Sequence, residues 1–316
     1  MHDCMKRRLL YAASQTYQPR MEVEQRRVGW IEPPMVIGRQ TPVTHREIDL
    51  ALVGRVKEGV VVAFRGSLPP YIGSSSAEDG WAVVLDWLND GLSVCVQDPA
   101  YPGGVHLGFS DSIRRLWEDA DGAPGVRSAI RMQLERGARE HLFLTGHSKG
   151  GALANLAAYR AATTGAWGAI PVSALTIAAA RAGNGSFARA YAATRIACLR
   201  YEMPSDLVPH LPPGPETPAW VNGIVGALVP GLAAQDYHPV GMKVTERPGM
   251  AAKHKRWAGS RRKSMLAGLL GRRGIGLGVL APGVVTAHAI CPDSGYDQLI
   301  CTGEGDCHHG KRRAAG

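Results

Sequence analysis

Leu142-Phe-Leu-Thr-Gly-His-Ser-Lys-Gly-Gly151 is the stretch that decides how the chain reads. An apolar run ends at Gly146, a serine follows at 148 and a second glycine at 150. Small residues suited to a helix begin at once: Ala152, Leu153, Ala154, Leu156 and Ala157. Gly-x-Ser-x-Gly between a strand signal and a helix signal is the context of a nucleophile elbow, a sharp strand-to-helix turn. Ser148 is expected in a strained backbone conformation, its hydroxyl projecting from the strand's end. Gly146 and Gly150 let backbone segments pass at distances a Cβ would block. The helix aims its free N–H groups at the serine, where they favour developing negative charge. A glycine-rich turn with an ordinary serine is the plainer reading; the two flanks argue against it.

A serine is a weak nucleophile until a base takes its proton and a carboxylate orients that base. The rest of the chain should therefore supply oxyanion donors, an acid and a histidine. Upstream, Ile48-Asp-Leu-Ala-Leu-Val53, the turn Lys57-Glu-Gly59 and the apolar run Val60-Val-Val-Ala-Phe64 read as a hairpin entering a central sheet. That second strand ends in Arg65-Gly66-Ser67. An oxyanion hole needs a backbone N–H, and often a hydroxyl, fixed at a strand's end. Ser67 carries both, and Gly66 permits the turn. Arg65 reads as a structural ion-pair partner. The segment 68–80 has loop chemistry around Leu68, Tyr71 and Ile72 and is a candidate lid. Trp81, Val84, Leu85 and Leu88 keep helical spacing up to Asn89-Asp-Gly91.

Four segments now stand in a characteristic order: Phe64-Arg-Gly-Ser67, Asp86-Trp-Leu-Asn-Asp90, Val105-His-Leu-Gly-Phe109 and Gly146-His-Ser-Lys-Gly-Gly151. Their order and rough spacing resemble the class 3, or fungal-type, lipases of the α/β-hydrolase superfamily. Thr176-Ile-Ala-Ala-Ala-Arg-Ala-Gly-Asn184 resembles that family's strand and loop after the nucleophile helix. Arg200-Tyr-Glu-Met-Pro-Ser-Asp-Leu-Val-Pro-His-Leu-Pro212 resembles its acid-bearing loop. The resemblance runs from about Ile48 to Leu211 and resumes weakly near Tyr237 and His288. It implies a cofactor-free, metal-free serine esterase with Ser148 as nucleophile, Ser67 and the Lys149 N–H as the oxyanion hole, and Asp206 as the acid. It also implies a histidine near the C-terminus.

The residues support the acid independently. Asp206 follows the strand-like Ile196–Tyr201, and a loop at a strand's carboxyl end is where open α/β sheets place their sites. Pro204 and Pro209 stiffen that loop, although an aspartate in a turn is also common. Among the histidines, His147 belongs to the elbow, His106 reads as structural, and His210 lies too close to Asp206 in sequence. His254 sits in a basic run, and His308 and His309 in the tail. His288, in Val284-Val-Thr-Ala-His-Ala-Ile with Tyr296 beyond it, resembles the family's loop ahead of a tyrosine-bearing final helix. His238, in a strand-like stretch, is the alternative.

Two departures from the family stand out. Lys149 replaces the usual leucine after the nucleophile; its side chain is expected either to influence leaving-group preference or to point to solvent. An insert at about 213–280 separates the acid from the histidine. Its first part, Trp220–Ala233, is apolar and glycine-rich, fit to border an acyl groove or to pack as an ordinary loop. Its second part, Lys253–Arg273, has no acidic residue. It reads as a solvated cationic loop of a kind that can also lie on an anionic membrane surface.

Composition sets the outer limits. A chain of 316 residues fits one large α/β domain. The formal charge of +9 comes mostly from the late basic segment. Aromatic residues are too few there for a single-stranded nucleic-acid platform. Six cysteines are too sparse for a disulfide scaffold. Cys95 and Cys198 read as buried thiols, and Cys291 and Cys301 could pair in an oxidising compartment. The N-terminus lacks the apolar run of a signal peptide, and no window suits a membrane span. The expectation is cytoplasmic by default, with signal-independent export left open. Residues 1–301 are read as one α/β-hydrolase domain, a mostly parallel sheet with helices on both faces, and 302–316 as a disordered tail. The expected activity is hydrolysis of acyl glycerides or related lipid esters through an acyl-serine. The alternatives are a phospholipase, a phenolic-acid esterase, or a non-catalytic lipid-binding protein on the same scaffold.

Overall fold

The computed structural model describes residues 1–20, 22–40, 47–67, 94–137, 140–204, 206–228, 235–245, 288, 290 and 295–301. The candidate lid at 68–80, the helix expected at 81–91, the basic stretch 253–273 and the tail 302–316 lie outside them.

Seven strands form the main sheet in the order β1-β2-β3-β6-β7-β9-β11. These are β1 (Met35–Gln40), β2 (Glu47–Val56), β3 (Gly59–Phe64), β6 (Leu142–His147), β7 (Val172–Ile177), β9 (Ala197–Tyr201) and β11 (Met242–Val244). From β3 onward every pairing is parallel, while β1, β2 and β3 are antiparallel. The hairpin read from residues 48–64 is the β2–β3 pair. Side chains alternate across a strand, and β3 shows what that does here. Val60, Val62 and Phe64 enter one core, and Val61 and Ala63 the other. Both faces must then be covered, as parallel sheets require. Completely burying one such side chain contributes about 1.5–3 kcal/mol.

One face is covered by α3 (Leu107–Trp117), α4 (Val126–Glu135) and α5 (Lys149–Thr163). The other is covered by α1 (Asp3–Gln15) and the C-terminal α8 (Gly295–Cys301), which contact each other. In α1, Met5, Leu9, Ala12 and Ala13 recur at helical spacing and are buried. Helix α2 (Glu22–Val28) packs beside it. Helix α5 buries Gly150, Gly151, Ala152, Ala154, Ala157 and Ala158, so its backbone approaches the sheet closely.

A second, smaller antiparallel sheet has the order β10-β8-β5-β4, made of Tyr237–His238, Gly183–Asn184, Gly104–His106 and Cys95–Gln97, with α6 (Gly185–Ala193) following β8. The segment expected to be an insert begins as part of the fold. Helix α7 (Ala219–Leu228) buries Val221 and Val225 in the main core, and β11 extends the main sheet beside β9. The apolar stretch after Trp220 is thus, in its described portion, a packed helix. The cysteine expectations need correction. Cys301 is a free thiol and so makes no bond to Cys291, Cys4 is disulfide-bonded, and Cys95 is free but only half-buried. No helix among the described residues is long and apolar enough to cross a membrane.

Candidate active site

Ser148 sits where β6 turns into α5, with φ 59° and ψ −128°. Positive φ is costly for a residue with a Cβ and persists only where its surroundings impose it. The surroundings here are backbone. A methyl on Gly146 would collide with the Gly150 carbonyl, and one on Gly150 with the Phe64 carbonyl. The elbow is therefore pressed against the end of β3, which continues into Ser67. Ser148 N–H donates to the Ile177 carbonyl at 3.0 Å, and the Ser148 carbonyl accepts from Gly151 N–H at 3.0 Å. Among the described residues the Lys149 N–H donates to no protein acceptor, which leaves it available at the helix's amino end.

Asp206 and His288 are brought together across 82 positions. His288 Nδ1 lies 2.9 Å from Asp206 Oδ2 and 3.2 Å from Oδ1. The Asp206 side chain is fully buried and His288 is 18% exposed. Two further groups fix the carboxylate. Val208 N–H donates to Oδ1 at 3.0 Å, and Tyr296 Oη donates to Oδ2 at 2.7 Å. Tyr296 in turn accepts from Met203 N–H at 2.9 Å, so its own hydrogen is left for Asp206. Burial, and then the Asp206 carboxylate beside it, push the Tyr296 hydroxyl's pKa well above its usual value. An ionised carboxylate can only accept, so His288 Nδ1 carries the proton and Nε2 is the basic nitrogen.

The elbow meets the histidine through His147. Its Nε2 is 2.7 Å from the His288 carbonyl, and its Nδ1 is 2.8 Å from the Tyr17 hydroxyl. The two imidazole centroids lie 4.5 Å apart. A carbonyl only accepts, so His147 carries its proton on Nε2 and Tyr17 donates to Nδ1. Burial, and then the neighbouring His288, hold the His147 pKa far below the usual imidazole value. It is a neutral strut between the N-terminal segment and the backbone of the histidine loop. Among the described residues Ser148 Oγ forms no hydrogen bond with His288; such bonds are often long in the ligand-free state and tighten around substrate.

The other histidines lie elsewhere. His238 bonds Asp236 at 3.0 Å on the surface of the small sheet. His106 is buried and stacked on Phe109, its centroid 3.8 Å away. Burial, and then the charge of Lys149, push its pKa down to about 3. His210 packs edge-on to Trp220, and burial lowers it to about 4.

The expectation for the Lys149 side chain needs correction. It does not point to solvent. Its ammonium lies 2.8 Å from Asp49 Oδ1 on β2, and Arg115 of α3 holds Asp49 Oδ2 through Nη2 at 2.6 Å and Nε at 2.9 Å. Burial alone would raise the Asp49 pKa, but Lys149 and then Arg115 outweigh it and hold the carboxyl below its ordinary value. The group therefore contributes stability that is complete above the unfolded-state value of about 4 and is lost as pH falls through the lower folded value. Asp49→Asn leaves two cations facing a neutral amide and is expected to cost about 3–5 kcal/mol. Chemical denaturation at pH 7 and at about pH 3, below the unfolded-state value, checks this. The variant's deficit should shrink in acid, and an equal deficit at both pH values would contradict the assignment. Sequence reading did not reach Asp49 or Tyr17. Asp49 is a charged residue directly before the apolar run Leu50–Val53, and that was the available signal.

Comparison with known proteins adds the family. Residues 61–215 match the model described as Lipase (class 3). Comparison with the curated proteins gives no match. Among solved structures, a lipase from Rhizopus microsporus var. chinensis is 19% identical over 78% of this chain and 77% of its own, with a TM-score of 0.53. Lipase II from Rhizopus niveus is 19% identical over 76% and 80%, also at 0.53. A Rhizomucor miehei lipase–propeptide complex is 24% identical at a TM-score of 0.47; the match spans 65% of this chain and only 62% of that one. The Rhizopus likenesses establish the α/β-hydrolase fold, with its mostly parallel sheet between two helical layers. Over residues 61–215, just under half of its 316 residues, the chain is similar to the class 3 lipases.

Proposed function

We propose that this protein hydrolyses carboxylic esters of lipids through an acyl-serine intermediate. The observation that carries the reading is the Asp206–His288 pair, 2.9 Å between Nδ1 and Oδ2, docked through the His288 carbonyl onto His147, the residue that precedes Ser148. In the proposed mechanism, His288 Nε2 takes the Ser148 hydroxyl proton while Oγ attacks the ester carbonyl carbon. The carbonyl π electrons move to oxygen, where Ser67 and the Lys149 N–H stabilise them. The oxyanion then collapses, the alcohol leaves with the proton from His288, and the acyl group stays on Ser148. Water, deprotonated by the same imidazole, repeats the sequence and releases the carboxylic acid. Asp206 keeps the imidazole in the reactive tautomer and offsets its charge once protonated.

Acyl glycerides or related lipid esters are the substrate class we favour, and residues 1–301 form one catalytic domain in this reading. The test is the initial rate across short- to long-chain acyl esters, with wild type and Ser148→Ala side by side. A long-chain optimum supports a lipase and a short-chain optimum an esterase. A wild-type rate no higher than that of the variant on every ester would sink the proposal in favour of a non-catalytic scaffold. The basic stretch 253–273 is expected to add weak binding to anionic vesicles. Sedimentation of Ser148→Ala with phosphatidylserine vesicles should show binding that fades with salt, whereas equal binding to neutral vesicles would count against it.

A further inference from the structure

The geometry points to Asp49 and the Lys149 side chain as a clamp that sets the spacing of the two oxyanion donors, an inference that rests on the ester-hydrolase reading above. Lys149 has two ends with two tasks. Its backbone N–H opens α5 beside Ser148, without a protein acceptor among the described residues. Its side chain turns away from that site and bonds Asp49 at 2.8 Å. Asp49 is not an arbitrary anchor. β2 pairs with β3 so that Ala51 faces Phe64, and Arg65 N–H bonds the Leu50 carbonyl at 2.9 Å. One residue further along β2, Asp49 therefore lies beside the chain as it leaves β3 through Gly66 to Ser67, the second donor. A single ammonium–carboxylate bond thus ties the segment carrying one donor to the strand flanking the other.

The anchor is itself held. Both Asp49 oxygens are occupied, Oδ1 by Lys149 and Oδ2 by Arg115, and the carboxylate is completely buried. A charge-assisted bond at this depth has one favourable geometry, because a displaced ammonium would leave Asp49 short of a partner. A leucine at this position could slide against its neighbours with little penalty. The consequence is preorganisation. An oxyanion hole works when its donors already stand where the negative oxygen will be, and small displacements weaken it steeply. Asp49 and the Lys149 side chain are positioning residues; neither touches the reacting atoms.

The test compares wild type, Lys149→Met and Lys149→Arg. Asp49 keeps its Arg115 partner in both variants, which protects the fold. The assays are steady-state hydrolysis of a p-nitrophenyl ester and the second-order rate of inactivation by an alkyl phosphonate. Lys149→Met should lower kcat and the inactivation rate about 10–100-fold with KM changed less than about twofold. Lys149→Arg should recover most of the loss. Should Lys149→Met fail to fold, Lys149→Gln, which still hydrogen-bonds Asp49 but without charge, is expected to lose about three- to tenfold in kcat. Retention of full kcat in the methionine or glutamine variant, or no recovery with arginine, would overturn the clamp. A wild type that neither turns over ester nor reacts with phosphonate would instead overturn the hydrolase reading, so the two failures are distinguishable.

Discussion

Ser148→Ala is expected to lower kcat for ester hydrolysis about 10⁵–10⁶-fold. The hydroxyl is the atom that forms the acyl bond, and no neighbouring group in the elbow can replace it. What remains should be the small acceleration that binding and oxyanion donors provide without a nucleophile. The substitution is a clean one. Ser148 is nearly buried and held at φ 59° by backbone on both sides, and alanine has the same Cβ and the same conformational restriction. Thermal unfolding should therefore shift little, and KM should change far less than kcat. A variant within tenfold of the wild-type rate would remove Ser148 from the chemistry.

Asp206→Asn is expected to cost about 10⁴-fold in kcat. The shape of the site survives the exchange, but its hydrogen-bond polarity does not. The carboxylate now accepts from Val208 N–H, Tyr296 O–H and His288 Nδ1. An amide has one oxygen for these donors and presents its NH₂ to the remaining position. If the NH₂ faces His288, Nδ1 must accept, Nε2 takes the proton, and the base is lost. Kinetics with circular dichroism as a fold control decide the point. A loss of kcat with a native spectrum is the expected result. Near-normal kcat would show that His288 is oriented by something other than Asp206.

Much of this arrangement is written locally. The apolar β-branched run 60–64, the glycines flanking Ser148 and the small residues of 152–158 each name their own structure, because each pattern reflects one strand, one turn or one closely packed helix. The Asp206–His288 pair was reachable only through the family resemblance, since 82 residues separate its members and no local pattern joins them. Other parts were not legible. The strands of the small sheet are two or three residues long, too short for alternation to show. The N-terminal helix carries its signal in Met5, Leu9, Ala12 and Ala13, but Lys6, Arg7 and Arg8 interrupt the apolar pattern between them. β11 looked like part of an insert because three residues, two of them exposed, gave no sign of a place in the main sheet. The Asp49–Lys149 bond joins residues a hundred positions apart, and only the β2–β3 register and the elbow together bring them within reach.

The same register explains why charge is tolerated beside the elbow. A lysine pointing into a core is costly unless a partner is already there. Asp49 supplies that partner, and Arg115 satisfies the oxygen Lys149 leaves free. The neighbouring His106 is held neutral by burial and by Lys149, so the cluster does not gain a third cation. Structure and proposed function meet in this cluster, for it braces the turn from which the nucleophile projects.

The most direct test of the central claim, that Ser148 activated by His288 is the nucleophile, is peptide mapping by mass spectrometry after reaction with a fluorophosphonate. The account predicts one adduct, on Ser148, formed by the wild type and abolished by His288→Ala. A label on another residue, or labelling of Ser148 that survives loss of His288, would contradict it.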